Sequence, residues 1–230
     1  MTRYDRDVQA LAVALAALAG YVDAVGYLMS GGFFVSFMTG NSTRMGVGLA
    51  DAAQPAAIAG GLILTFVGGV CAGSLLGHHA PRRRSVVILA LVALLLAGAA
   101  ALHGSGRDGV AIGLLAFAMG AMNGIFERDG DVRLGLTYMT GTLVRVGHGL
   151  AGLLVGRKRP DWIAYLCLWG GLVAGACIGA AVHLRTSGAA LWIATIAAML
   201  LAMVAAIVGP ERRAGRPGGG AVSDLHGRDE

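Results

Sequence analysis

Met38-Thr39-Gly40-Asn41-Ser42-Thr43-Arg44-Met45-Gly46-Val47-Gly48-Leu49-Ala50 occurs a second time as Met139-Thr140-Gly141-Thr142-Leu143-Val144-Arg145-Val146-Gly147-His148-Gly149-Leu150-Ala151. Both read M-T-G-x-x-x-R-x-G-x-G-L-A, 101 residues apart. A shared pattern this long at one offset marks two copies of one unit. The correspondence reaches outward from the motif. Asp23 matches Asn123, and Gly69, Gly73 and Gly77 match Gly171, Gly175 and Gly179 at an offset of 102. These glycines form small-xxx-small ridges, which let helix backbones approach closely where lipid gives no hydrophobic drive. Such ridges suit packing within one chain and equally a homo-oligomer.

The solvent of this chain is a bilayer. Hydrophobic residues make up 56% of the 230 and charged residues 13%, about half the charged share of an ordinary soluble domain. No Asp, Glu, Lys or Arg lies between Asp51 and Arg82, between Arg84 and Arg107, or between Arg185 and Glu211. Roughly 20 apolar residues cross a hydrocarbon core. The pattern predicts spans over about 8–28, 56–78, 85–103, 109–126, 162–183 and 188–208. Arg3 and Arg6 ahead of an apolar run resemble a signal peptide, but Asp5 and Asp7 interrupt the basic region. The first span also has a counterpart in the second copy, so it is read as retained.

The net charge of +5 does not point to nucleic acid, because the basic residues fall in short segments between spans. With a cytoplasmic N-terminus, 15 of the 18 Lys and Arg residues lie inside; Arg44, Arg107 and Arg185 lie outside. That is the bias of the positive-inside rule. If both M-T-G segments crossed fully, Arg82-Arg83-Arg84 would move outside, against the rule. Six spans are therefore favoured, three per copy. Three is odd, so the second copy is inverted relative to the first. The expected fold is an all-α polytopic membrane protein: six transmembrane helices as a 3+3 inverted repeat with two M-T-G re-entrant half-helices. Residues 1–7 are a cytoplasmic N-terminus, 8–105 and 106–208 the two membrane repeats, and 209–230 a disordered Arg/Gly-rich cytoplasmic tail.

Thr39-Gly40-Asn41 and Thr140-Gly141-Thr142 read as helix starts, with hydroxyl and amide side chains as caps. About ten residues of helix after each would span about 15 Å, half the hydrocarbon core. Two such half-helices from opposite faces would point their N-termini near the midplane, where discontinuous helices of inverted repeats build substrate sites.

The stretch Gly20-Tyr21-Val22-Asp23-Ala24, followed by Phe37-Met38-Thr39-Gly40-Asn41, resembles the YoaK family (DUF1275) of bacterial integral membrane proteins. Met122-Asn123 and Thr137-Tyr138-Met139-Thr140-Gly141-Thr142-Leu143 carry the same resemblance in the second half. It covers about residues 8 to 208. Gln usually precedes the Asn in that pattern, and Met122 stands there in this chain. The resemblance implies a multi-span inner-membrane protein, loosely labelled a small-molecule transporter, and supplies no substrate.

Candidate substrate-binding or pore-lining residues are Asp23, Thr39, Gly40, Asn41, Arg44, Asn123, Thr140, Gly141, Thr142 and Arg145. A carboxyl within a span usually faces a bundle interior or cavity. Asp23 could therefore carry a proton or cation, pair with Arg44, or sit near the outer interface. Arg44 and Arg145 lie one turn past the T-G starts. They would form anion sites with the helix N-termini or snorkel to headgroups. Arg145 could instead pair with Glu127. Asn123 could do no more than bond a neighbouring helix. His78, His79, His103 and His148 read as interfacial. Cys71, Cys167 and Cys177 lack metal-ligand spacing and read as buried small hydrophobes. There is no Walker A, H-E-x-x-H, C-x-x-C or G-x-S-x-G motif. The expectation is no enzyme, catalytic residue, metal or cofactor. Its partners would be the lipid bilayer and an unknown small solute. A secondary transporter for a small polar solute in the inner membrane is the leading expectation, with a passive channel or a membrane scaffold as alternatives.

Overall fold

The six apolar stretches fold as six helices long enough to cross a membrane: Arg6–Met29, Ala53–His79, Pro81–His103, Asp108–Phe126, Trp162–Thr186 and Ala189–Val208. A computed structural model describes residues 5–51, 53–103, 105–128, 131–132, 136–156, 161–186 and 188–208. The expected tail 209–230 lies outside the described residues, as do Arg3, Arg133, Arg157, Lys158 and Arg159.

In chain order the helices are α1 (Arg6–Met29), α2 (Met38–Asp51), α3 (Ala53–His79), α4 (Arg84–His103), α5 (Asp108–Met122), α6 (Met139–Leu154), α7 (Asp161–Thr186) and α8 (Ala189–Val208). A 3-10 turn, Pro81–Arg83, leads into α4, and another, Asn123–Phe126, extends α5. A two-residue antiparallel pairing joins Glu127–Arg128 to Asp131–Val132 in the connection between the halves. The two M-T-G segments form the short helices α2 and α6, both starting at the Met. At 14 and 16 residues they run longer than the sequence suggests.

The spans are not equivalent in depth. In the most apolar window of each span, 61% of α1 and 67% of α5 is buried, against 33% of α3 and 17% of α7. The central side chains are Leu15 and Val22 of α1, Leu89 and Leu96 of α4, Leu115 and Met119 of α5, and Leu191 of α8. Cys71, Cys167 and Cys177 are exposed at the outer surface of α3 and α7. This corrects the buried reading. In a bilayer an apolar stretch faces lipid as readily as core, so hydropathy alone does not tell the two apart.

Glycine decides which helices meet. α7 lies against α1, with Gly175 on the Ala17 carbonyl and Gly179 on that of Tyr21. α3 lies against α5 in the same way, with Gly69 on the Phe117 carbonyl and Gly73 on that of Ala121. A Cβ at Gly179 would sit 2.8 Å from the Tyr21 Cα, and one at Gly73 2.9 Å from the Ala121 Cα. The reverse contacts match too: Gly20 meets Leu172, and Gly120 meets Phe66. Residues of α1 and α5 correspond at an offset of 100, and those of α3 and α7 at 106. The structure therefore equates Gly69 with Gly175, not with Gly171. The ridge slides by four residues, about one helical turn, from the sequence match. α6 is two residues longer than α2 and takes up part of the difference. Both ridges meet helices of the same chain.

Candidate functional site

Ser36-Phe37-Met38-Thr39 and Thr137-Tyr138-Met139-Thr140 border one cavity of about 300 Å³, with Phe66 of α3 and Gly141 of α6 completing its wall. The two tetrapeptides are the last loop residues and first helical residues of α2 and α6. They match position by position at an offset of 101: hydroxyl, aromatic ring, thioether, hydroxyl. The starts of the two short helices are thus brought to one place.

Each start is held by a polar side chain on a central span. The Asp23 Oδ1 accepts the backbone N–H groups of Val35 at 2.9 Å and Ser36 at 2.7 Å. In the second half the Asn123 Oδ1 accepts the Thr137 hydroxyl at 3.1 Å, while its Nδ2 donates to the Met119 carbonyl at 3.0 Å. Asp23 and Asn123 are repeat partners, and so are Ser36 and Thr137. The fixed distance between a central span and the loop is met in both copies by a short polar side chain. No basic side chain lies within ion-pair distance of Asp23 among the described residues.

Asn41 is fully buried and grips Phe34 from both sides. Its Oδ1 accepts the Phe34 N–H at 3.0 Å and its Nδ2 donates to the Phe34 carbonyl at 2.7 Å. It therefore clips the loop back onto α2 and does not cap the helix. Thr142, its counterpart, is buried and donates to the carbonyl of Tyr138, the residue just before α6, at 3.3 Å. Gly40 faces the Phe37 and Phe34 rings. Thr39, Thr140 and Gly141 line the cavity.

Neither Arg44 nor Arg145 lines it. The Arg44 guanidinium lies over the Phe33 ring at 4.9 Å. Arg145 lies over Tyr165 of α7 at 5.1 Å, and its Nη1 donates to the Tyr165 hydroxyl at 3.2 Å. Arg is weakly hydrated and stacks well on aromatic faces. The expected pairing of Arg145 with Glu127 is replaced by another. Glu127 receives Arg84 across 3.4 Å and the Ser74 hydroxyl at 3.0 Å, while the Arg84 Nη1 donates to the Glu127 carbonyl.

Few backbone donors at the helix starts remain open. Met38 donates to the Ser36 carbonyl and Gly40 to that of Phe37; Met139 donates to the Thr137 carbonyl. Among the described residues, the N–H groups of Thr39, Thr140 and Gly141 have no backbone partner.

A family described as "Protein of unknown function (DUF1275)" matches residues 11–204. The chain belongs to the DUF1275 family. It is also 42% identical over 198 residues to a Rhizobium meliloti (strain 1021) protein named "UPF0700 transmembrane protein RA0705", covering 85% of each chain. No solved structure matches. The match runs from within α1 to within α8 of this DUF1275 chain and contains both short helices. Ser36, Phe37, Phe66, Thr137 and Tyr138 line the cavity although they are absent from the sequence-based candidates. The signal for four of them was present: the offset of 101 continues two residues N-terminal to M-T-G, from Ser36 to Thr137 and from Phe37 to Tyr138. Phe66 carries no such signal.

Proposed function

We propose that the protein is a secondary transporter which binds a small polar solute between the starts of α2 and α6 and moves it across the bacterial inner membrane. The observation that carries this reading is the shared cavity, walled by two copies of one hydroxyl-aromatic-thioether-hydroxyl sequence. Its supporting frame is a 3+3 inverted repeat with cytoplasmic termini. An odd number of spans per copy requires inversion, and the exchanged packing of α7 on α1 and of α3 on α5 agrees with a pseudo-two-fold axis. In that frame α2 and α6 are half-helices entering from opposite faces. Irregular backbone at membrane depth is tolerated where it lines a cavity, and paired broken helices mark the central site of many transporters. Asp23 holds the α2 entrance and is the candidate coupling residue.

The test is thiol accessibility in a chain lacking Cys71, Cys167 and Cys177, with Thr39→Cys and Thr140→Cys introduced singly. Both residues line the cavity, and both are exposed. Labelling by a small membrane-impermeant reagent, from one side of the membrane at a time, is the expected result. If both positions stay unlabelled from either side, the cavity has no aqueous access and the transport reading fails.

A further inference from the structure

The geometry points to a small uncharged solute of the polyol class, bearing both hydrogen-bond donors and acceptors, as what the cavity takes. Its passage, though not its binding, rests on the transport reading above.

Charge is disfavoured in both signs. Among the described residues, no Asp, Glu, Lys, Arg or His lines the cavity. An anion would need either a cationic side chain or a nest of open backbone N–H groups. Arg44 and Arg145 are stacked on Phe33 and Tyr165. The N–H groups of Met38 and Met139 are already taken by loop carbonyls, and the open ones, on Thr39 of α2 and on Thr140 and Gly141 of α6, are divided between two helix starts and can donate to neutral oxygens. A cation would meet the positive ends of two helices. The carboxylate that could offset them, Asp23, is turned to Val35 and Ser36. An unpaired charge in such a place carries a large desolvation penalty.

What the wall offers is neutral and two-sided. The Thr137 hydroxyl gives its proton to Asn123 and so presents lone pairs. The Thr39 and Thr140 hydroxyls can donate or accept, as can that of Tyr138. Between them stand Phe37, Phe66, Met38 and Met139. A polyol matches this alternation, with a hydroxyl on each carbon and apolar C–H edges between.

The experiment uses the full-length protein, purified in detergent and reconstituted in liposomes. The probes are erythritol, the anion glycerate and the cation of 3-aminopropane-1,2-diol. Binding is read as a ligand-dependent shift in thermal unfolding, and passage as the reswelling rate of osmotically shrunken liposomes. Expected is a shift with erythritol alone, and faster reswelling in erythritol than in either charged probe. Joint Thr39→Val and Thr140→Val substitution is expected to lower erythritol flux about tenfold while the unliganded melting temperature holds. Erythritol binding without reswelling supports the solute class and removes the transport reading. Binding or flux of a charged probe at or above the level of erythritol overturns the solute class and leaves transport standing. Failure of all three probes to bind also overturns it.

Discussion

The Oδ1 of Asp23 and the backbone N–H of Ser36 lie 2.7 Å apart, and that bond fixes the loop which opens α2 to a central span. The same oxygen also holds Val35. Asp23→Ala removes the acceptor for two part-buried donors. Leaving a buried donor unsatisfied costs about 1–3 kcal/mol. Asp23→Ala is expected to lower the melting temperature clearly, whereas Asp23→Asn, which keeps an oxygen in place, holds the fold. Thermal unfolding of the two purified variants checks this. Equal stability of Asp23→Ala and the parent chain would show that the loop is held by other contacts.

Asn41 and Thr142 occupy matching positions but do different work. Asn41→Ala leaves both the N–H and the carbonyl of Phe34 without their partner. Thr142→Ala removes one bond to the carbonyl of Tyr138, just before the same helix. The expected loss is about 2–4 kcal/mol for Asn41→Ala and under about 1.5 kcal/mol for Thr142→Ala, from the usual cost of orphaned and replaced hydrogen bonds. Chemical unfolding of the two variants side by side tests the ranking, and a reversed order rejects the clip.

Gly175→Ala places a methyl group against the Ala17 carbonyl, and Gly69→Ala does the same at Phe117. Backbone cannot yield as a side-chain tip does. Overpacking of this kind costs about 1–3 kcal/mol. Gly147→Ala in α6 meets nothing within 4 Å and is expected to cause no loss. Melting temperatures of the three variants decide the matter. Tolerance of alanine at both Gly69 and Gly175 would argue against the close approach of the helix pairs.

Two ion pairs in the chain should differ sharply in weight. Arg84 and Glu127 are each 15% exposed at the side chain, while Asp108, partner of His103, is 50% exposed. Removing one partner of a buried pair costs about 3–5 kcal/mol, and Glu127→Ala belongs at the lower end because both groups touch some water. Asp108→Asn is expected to change stability by under about 1 kcal/mol. A double-mutant cycle of Arg84 with Glu127 measures the coupling, and a value near zero would reduce the pair to a surface contact.

Much of the architecture is legible in the sequence because bilayer physics is coarse. Long runs without charge have one outcome, and the run from Ser85 to Gly106 could only be a span. The starts of α2 and α6 are legible because the motif occurs twice. The ridge register is not. A glycine every fourth residue matches itself after a shift of one turn, so 102 and 106 look alike until Gly175 is seen on Ala17. Side-chain direction was equally hidden. Arg44 and Arg145 carry the charge that suggests an anion site, yet each finds an aromatic ring nearby. Asp23 was legible as a carboxyl within a span, but its task depends on a loop 12 and 13 residues away.

The exchanged pairing of α1 with α7 and of α5 with α3 has a consequence for biogenesis. The N-terminal half enters the membrane before its glycine-lined partner for α1 has been synthesised, and it must wait there with a long small-residue face open to lipid or to the insertion machinery. Neither half contains its own closing contacts. Cut at the Glu127–Val132 connection and produced as two chains, the halves would depend on each other for survival against membrane proteases, and their joint abundance would report assembly directly.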